Sequence, residues 1–243
     1  MPDSGRIARR WRPEAEFALT AIAPELWIAR YPVVFHGFRM VSCMTVIRLP
    51  KNRLWIHSPI APDTSAARQI STLGRVEWIV APNRLHHLHA LDWAAAHPAA
   101  QLFVAPGLAA KNLRLADAPM IPAPCDAPWR DTIDSVFVAG NAELNETVFL
   151  HRPTNSLIVT DLAVCLGPWD SFGTRSYARL NGCHGRLGHS FLLKTFFRDR
   201  AAARASIEAI LAWPFERIIL AHGPVIESGA KSALEAAFSW LLR

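Results

Sequence analysis

Along the first half of the chain, short apolar stretches rich in β-branched residues alternate with stretches whose apolar positions repeat at helical spacing. These two periods are typical of strands and of amphipathic helices. Strands are predicted over residues 25–33, 40–50, 53–60, 75–82 and 100–106, and helices over residues 62–74 and 88–98. The elements predicted over residues 53–106 therefore follow the order β-α-β-α-β.

The second half predicts a second group of strands followed by two helices. The strands cover residues 134–140, 146–153, 156–161 and 216–223, and the helices cover residues 199–213 and 229–243. Asp199 is a suitable N-cap for the first of these helices. Residues 163–194 have weak periodicity and several glycines, so they are predicted to be irregular. Strand hairpins followed by strand-helix units in both halves favour two sheets with helices outside them, in one domain.

Composition narrows the class of protein. The chain has 243 residues, of which 51% are hydrophobic, yet no apolar run is long enough to span a bilayer. The basic N-terminal stretch is not followed by the apolar core of a secretory signal. The four cysteines lie far apart, which favours reduced thiols over a disulfide framework. We therefore expect a soluble cytoplasmic protein without a membrane partner.

The net charge of +6 raises the question of a nucleic-acid partner. The arginines are scattered, and no aromatic residues are interleaved with them as in a base-stacking surface. A solvated basic surface accounts for the charge better, so a nucleic-acid partner is not favoured.

Polar side chains stand where several predicted strands end. His57 closes one strand, His86 and His87 follow another, and Asp161 and His222 close two more. Polar groups supplied by separate strand ends are typical of a site built on an α/β scaffold. Imidazole and carboxylate are also ligands that zinc, iron and manganese accept.

The segments "WIHSP", "APNRLHH", "FLHRP", "LIVTD" and "AHGP", in this order, resemble the metallo-β-lactamase superfamily. The resemblance extends from about Ile22 to the end of the chain. It implies an αββα sandwich that holds one or two metal ions at a sheet edge. We accordingly expect an N-terminal arm over residues 1–20 and a single domain over residues 21–243.

The departures from the family pattern concern its H-x-H-x-D-H motif. Aligning the flanking strands places the family's D-H pair on His86 and His87, and its first two histidines on Pro82 and Arg84, which do not ligate zinc. A second register places H-x-H on His87 and His89, with Asp92 one residue after the position at which the family motif has its Asp. The first register keeps the family's distance to the next strand, and in it His89 and Asp92 form a pair on a helix surface.

Other family positions also differ. His57 stands where most members have an early Asp, and the middle histidine of the family falls near Asn141. Glu146 opens a strand and is expected to be exposed. One of the two metal sites is therefore expected to be lost, and the other to keep His86 or His87, Asp161 and His222.

The resemblance implies a hydrolase that uses a metal-bound hydroxide on an ester, thioester, amide or phosphate. We expect one divalent metal, with zinc favoured over iron and manganese, and a small-molecule substrate. Asp161 would ligate the metal or orient the water, and His57 or the second histidine of the His86–His87 pair would move protons. The alternatives are a degenerate member without metal that binds a small molecule or partner without turnover, and a nucleic-acid-processing protein. The oligomeric state stays open.

Overall fold

The computed structural model describes residues 18–35, 37–62, 64–167 and 170–243. The strands are β1 (Thr20–Ala23), β2 (Leu26–Phe35), β3 (Phe38–Leu49), β4 (Arg53–His57), β5 (Arg75–Ala81), β6 (Gln101–Val104), β7 (Ile133–Phe137), β8 (Thr147–His151), β9 (Ser156–Val159) and β10 (Arg217–Leu220). The helices are α1 (Ser65–Leu73), α2 (Ala90–Ala96), α3 (Leu108–Lys111), α4 (Phe172–Leu180), α5 (Phe191–Thr195), α6 (Arg200–Ala212), α7 (Ala230–Ala237) and α8 (Ser239–Leu242).

The strands form two mixed sheets. The first has the order β1-β2-β3-β4-β5-β6, and the second has the order β10-β9-β8-β7. In the first sheet β4, β5 and β6 are parallel, and in the second β9 and β10 are parallel. The carboxyl ends of parallel strands lie at the same edge of a sheet, so the loops after β4, β5, β9 and β10 are placed to build a common site.

Three apolar layers hold the sheets and helices together. The layer between the sheets contains Trp55, Trp78, Phe149, Ile158 and Ile219, among others. A second layer joins the outer face of the first sheet to α1 and α2 through Leu54, Ile56, Ile70 and Trp93, among others. The third joins the outer face of the second sheet to α6 and α7 through Leu157, Val159, Ile207, Ile210 and Leu234, among others. The order of layers is therefore helix, sheet, sheet, helix, which confirms the predicted αββα sandwich.

Alternation along β4 explains how one strand serves two of these layers. Successive side chains of a strand point to opposite faces. Leu54 and Ile56 accordingly join the layer under the helices, whereas Trp55 joins the layer between the sheets. His57 follows Trp55 at the same period and stacks on its ring at 5.4 Å between centroids.

The predicted β-α-β-α-β order over residues 53–106 is confirmed, and Asp199 does cap α6 by accepting a hydrogen bond from the Ala202 amide at 3.0 Å. Two predictions were wrong. Residues 163–194 contain α4 and α5, and the helix predicted over residues 229–243 is divided into α7 and α8 at Phe238, whose φ of −102° and ψ of 9° leave the helical region.

The division into an arm and a domain stays a prediction, because residues 1–17 lie outside the described part of the chain. The first described strand begins at Thr20. Among the described helices, none combines the length and the apolar character that crossing a bilayer requires.

Candidate metal centre

His86, Asp161 and His222 meet at one edge of the sandwich. His86 lies in the loop after β5, Asp161 follows β9, and His222 follows β10. Each residue offers one ligand atom, and the three atoms lie within 4.8 Å of one another. Asp161 and His222 are each 8% exposed, so the cluster is largely withdrawn from solvent.

The separations between these atoms suit a small divalent cation. His86 Nε2 lies 3.2 Å from His222 Nε2 and 3.3 Å from Asp161 Oδ2, and His222 Nε2 lies 3.5 Å from Asp161 Oδ1. Tetrahedral zinc with bonds of roughly 2.0–2.1 Å separates its ligand atoms by about 3.3 Å. The observed separations are of this size, with His86 facing Oδ2 and His222 facing Oδ1 of the same carboxylate.

The outer nitrogens of both histidines are engaged away from the cluster. His222 Nδ1 lies 2.7 Å from the carbonyl oxygen of Val41, and His86 Nδ1 lies 2.7 Å from the hydroxyl of Ser58. A carbonyl oxygen only accepts, so His222 Nδ1 carries a hydrogen and donates it to Val41. Neutral His222 then directs an Nε2 lone pair towards Asp161 and His86.

Either of two arrangements satisfies these atoms: a hydrogen on His86 Nε2, which the Ser58 hydroxyl permits by donating to Nδ1, or a metal ion between the three residues. Burial alone would lower the pKa of His222, but its hydrogen bond to Asp161 and the charge of that carboxylate raise it overall. Burial alone would raise the pKa of Asp161, yet the positive charge of His86 and the hydrogen bonds from both histidines hold it well below its usual value. Without metal, the cluster therefore favours a proton on a histidine beside an ionised Asp161.

Asn83 and Glu146 form a buried support beneath the cluster. Asn83 Nδ2 donates to Asp161 Oδ2 at 2.7 Å, to Thr160 Oγ1 at 2.8 Å and to Glu146 Oε2 at 3.1 Å. Asn83 Oδ1 accepts from the Leu85 and His86 amides, at 2.8 and 2.7 Å. One amide side chain thus fixes both the Asp161 carboxylate and the turn that carries His86.

Glu146 was expected to be exposed because it opens a predicted strand. This prediction was wrong: Glu146 is buried and only 2% exposed. Its carboxylate accepts the backbone amides of Thr160, Asp161 and Leu162 at 2.7, 2.8 and 2.9 Å. Burial and the charge of Asp161 raise the pKa of Glu146, and hydrogen bonds from Thr160 and Asn83 oppose the rise. Glu146 therefore holds the segment that presents Asp161.

His87 and His57 do not join the cluster. His87 is half-buried and lines the cavity beside His86, and burial followed by the charge of Lys111 lowers its pKa. His57 lies between the sheets against Trp55 and Phe149, and neither of its ring nitrogens has a hydrogen-bond partner among the described residues. Burial lowers the pKa of His57 to about 3, so the surroundings of His57 do not favour proton transfer near neutral pH.

The remaining candidates lie away from the three ligand atoms. His89 Nδ1 and Asp92 Oδ2 are 3.2 Å apart on the surface, as the first register predicts. Asn141 is buried and accepts the Leu144 amide at 3.2 Å within its own loop. Among the described residues, the one group of three potential metal ligands within such reach is the cluster of His86, Asp161 and His222.

A cavity of about 520 Å³ opens above the cluster. Its walls are largely apolar, with contributions from β2, β3, the loop after β5 and α5, and the cations Arg84 and Lys111 also line it. Pockets of roughly 300–1,000 Å³ accommodate small organic ligands. The candidate metal centre is therefore accessible to a small molecule.

Comparisons with known proteins bear on the family and on the fold. The family model described as "Domain of unknown function (DUF4336)" matches residues 37–169. No match is found among curated protein sequences.

Similar solved structures include metallo-β-lactamases and a flavodiiron protein. The metallo-β-lactamase from Pontibacter korlensis has a TM-score of 0.58 and 13% identity, with 92% of this chain and 97% of that chain covered. The mono-zinc form of the metallo-β-lactamase FIM-1 from Pseudomonas aeruginosa has a TM-score of 0.57 and 13% identity, covering 93% and 96%. The Flv1 flavodiiron core from Synechocystis sp. PCC6803 has a TM-score of 0.63 and 12% identity, covering 93% of this chain and 61% of that chain. The chain therefore has the metallo-β-lactamase fold.

Proposed function

The chain belongs to the DUF4336 family, and we propose that it is a hydrolase of a small-molecule substrate that uses one divalent metal ion held by His86, Asp161 and His222. The observation that carries this proposal is the position of His222. Its Nδ1 hydrogen is committed to the Val41 carbonyl, which leaves Nε2 as an acceptor facing Asp161 Oδ1 at 3.5 Å and His86 Nε2 at 3.2 Å.

The donor set supports zinc or iron as the resident ion. Two imidazoles and one carboxylate are a ligand set that both metals accept. Two of the similar structures are named for these metals, one as a mono-zinc form and one as a flavodiiron core. When bound, such an ion supplies Lewis acidity and lowers the pKa of a coordinated water towards neutrality.

The chain's own residues then have separate tasks. His86 and His222 would hold the ion through Nε2, and their Nδ1 contacts to Ser58 and Val41 fix the orientation of both rings. Asp161 supplies a carboxylate oxygen and is oriented by Asn83. His87 lines the cavity next to His86 and is placed to exchange a proton with a bound substrate, a task that its position supports better than that of the buried His57.

The test begins with elemental analysis of protein purified without chelator or metal-affinity resin. We expect at most one zinc or iron ion per chain, together with hydrolysis of at least one ester, thioester, amide or phosphate that stops on chelation. His222→Ala should lower metal content and turnover together, because two remaining ligands hold a metal poorly. His87→Ala is the matched control and should keep its metal, whereas two tightly bound ions would favour the register with His87 and His89.

A second function is a binding protein with the same fold but no turnover. Arg84 favours it, because Arg84 lines the cavity at a position that the family resemblance assigns to a metal-ligating histidine. Protein that takes up metal or ligand yet hydrolyses none of the four substrate classes would support this second function and contradict the first.

A further inference from the structure

Apolar residues make up much of the lining of the cavity above the cluster. Tyr31, Val33, Val34 and Met40 of the β2–β3 hairpin line it, together with Leu193 and Phe196 near α5. Val34 is 67% exposed, so this side is open to the surroundings as well as to the cavity. Apolar surface left accessible beside a site marks a place where an apolar part of a ligand is bound.

Two cations, Arg84 and Lys111, line the same cavity. Lys111 Nζ donates to the Arg84 carbonyl oxygen at 2.6 Å, and Arg84 Nη1 donates to the Ala142 carbonyl oxygen at 2.6 Å. Arg84 Nε is buried and has no hydrogen-bond partner among the described residues. Backbone carbonyls thus hold both side chains in place without neutralising their charge.

No carboxylate of the described residues neutralises these cations directly. Neither cation lies within 4.0 Å of a carboxylate oxygen in that part of the chain. Glu143, which also lines the cavity, has its nearest cationic contact with Arg198 at 4.0 Å. A fixed pair of cations beside a low-dielectric cavity attracts an anion.

The two cations act on each other and on the neighbouring carboxylates. Burial lowers the pKa of Lys111, and the positive charge of Arg84 lowers it further, while the charges of Asp161 and Glu143 act in the opposite sense. Lys111 lines the same cavity as His86, Asp161 and His222, so one small molecule in this cavity can contact both the ammonium and the candidate metal centre.

We propose that the cavity binds an amphipathic anion, with a carboxylate on Arg84 and Lys111 and an aliphatic chain along the β2–β3 hairpin. As a substrate class this inference rests on the proposed function, because the bond to be cleaved would lie between these two ends, over His86, Asp161 and His222. Binding of the anion itself needs only the two cations and the apolar side.

Octanoate and octan-1-ol are the probes, because they share an aliphatic chain and differ in charge. Their affinities are to be measured calorimetrically on chelator-treated protein and on zinc-loaded protein. We expect octanoate to bind at least about tenfold more tightly than octan-1-ol in the metal-free protein, since charged hydrogen bonds are stronger than neutral ones. Lys111→Met keeps the apolar stem and should weaken octanoate roughly five- to tenfold while leaving octan-1-ol unchanged.

Lys231→Met is the matched control, because Lys231 belongs to α7 and does not line the cavity; it should alter neither affinity. Equal affinities for the two probes would overturn the inference. Octanoate binding seen only with zinc would also overturn it, since the carboxylate would then sit on the metal and not on the cations. Failure of the proposed function is visible separately, as absence of metal uptake in a protein that still selects octanoate.

Discussion

The Asn83 side chain donates a hydrogen bond of 2.7 Å to Asp161 Oδ2 and thereby joins the loop after β5 to the loop after β9. The two loops come from different sheets, so this contact crosses the sandwich at the edge where the candidate ligands meet. Asn83 Oδ1 also accepts the His86 amide at 2.7 Å. The spacing between His86 and Asp161 is therefore set by a neutral residue that does not itself ligate.

Asn83→Ala should separate the contribution of this support from that of the ligands. The change removes the amide hydrogen-bond donor that the buried carboxylates of Glu146 and Asp161 share. We expect metal affinity to fall about 10–100-fold and the free energy of unfolding to fall by roughly 1–3 kcal/mol. Metal titration and chemical denaturation of the same samples measure the two effects.

Asn112→Ala is the matched control for Asn83→Ala. Asn112 Oδ1 accepts the Arg114 amide at 3.2 Å, and Asn112 does not line the cavity, so the control removes a similar local hydrogen bond without touching the candidate ligands. It should leave metal affinity unchanged. Equal metal affinity in Asn83→Ala and the parent protein would contradict the supporting role of Asn83.

The sequence pointed to residues that the structure brings together at one edge, but not to the contacts that hold these candidate ligands. Polar residues at the ends of apolar strands pointed to Asp161 and His222, because the carboxyl ends of parallel strands share an edge. The choice between His86 and His87 depends on the turn that Asn83 closes, and hydrophobic periodicity contains no information about that turn. The sequence signal that was available is the Asn itself, since Asn side chains commonly accept amides two or three residues later.

His57 shows why the strand-end rule fails for some residues. It closes β4, as a site residue would, but the alternation of the strand directs it to the same side as Trp55, between the sheets. A rule based on position along the strand does not include the face on which the side chain lies. The two helices within residues 163–194 were missed because their large apolar residues do not mark a buried face: α4 buries only Thr174 and Ala178, whereas Phe172, Leu180 and Phe191 are exposed.

Gly223→Ala should disturb the centre through the backbone. Gly223 has a φ of +142°, and a Cβ there would lie 2.5 Å from the Cys165 carbonyl oxygen, a backbone atom. The preceding residue is His222, whose own carbonyl accepts the Cys165 amide at 2.9 Å. Relief of the clash would move His222, so we expect a loss of roughly 2–3 kcal/mol in the free energy of unfolding together with weaker metal binding.

Gly173→Ala provides the comparison for Gly223→Ala. Gly173 lies in α4, and an added Cβ there meets no atom within 4 Å. Alanine favours a helix over glycine by up to about 1 kcal/mol, so this variant should be as stable as the parent or more stable. Thermal denaturation compares the stability of both variants with that of the parent. A Gly223→Ala protein with parental stability and metal content would contradict the expected disturbance of His222.

His189 is a buried histidine outside the candidate centre. It is 2% exposed and packs against Phe197, Phe238 and Trp240, and neither ring nitrogen has a hydrogen-bond partner among the described residues. Burial lowers the pKa of His189 to about 3, and the charge of Lys194 acts in the same direction. The ring is therefore neutral in the folded protein throughout the mildly acidic range.

His189→Leu should make the folded protein less sensitive to acid. Between the ordinary histidine pKa of about 6.5 and the folded value of about 3, the unfolded chain binds a proton that folded His189 does not. The free energy of unfolding of the parent protein therefore falls as the pH falls through this window, and this residue accounts for about 1.4 kcal/mol per pH unit. Because leucine does not titrate, the slope for His189→Leu between about pH 4 and 6 should be shallower by that amount. Denaturant titrations across the window measure both slopes. The contributions of the other buried histidines are the same in both proteins and cancel in the difference between the slopes. Equal slopes would mean that His189 is protonated in the folded protein.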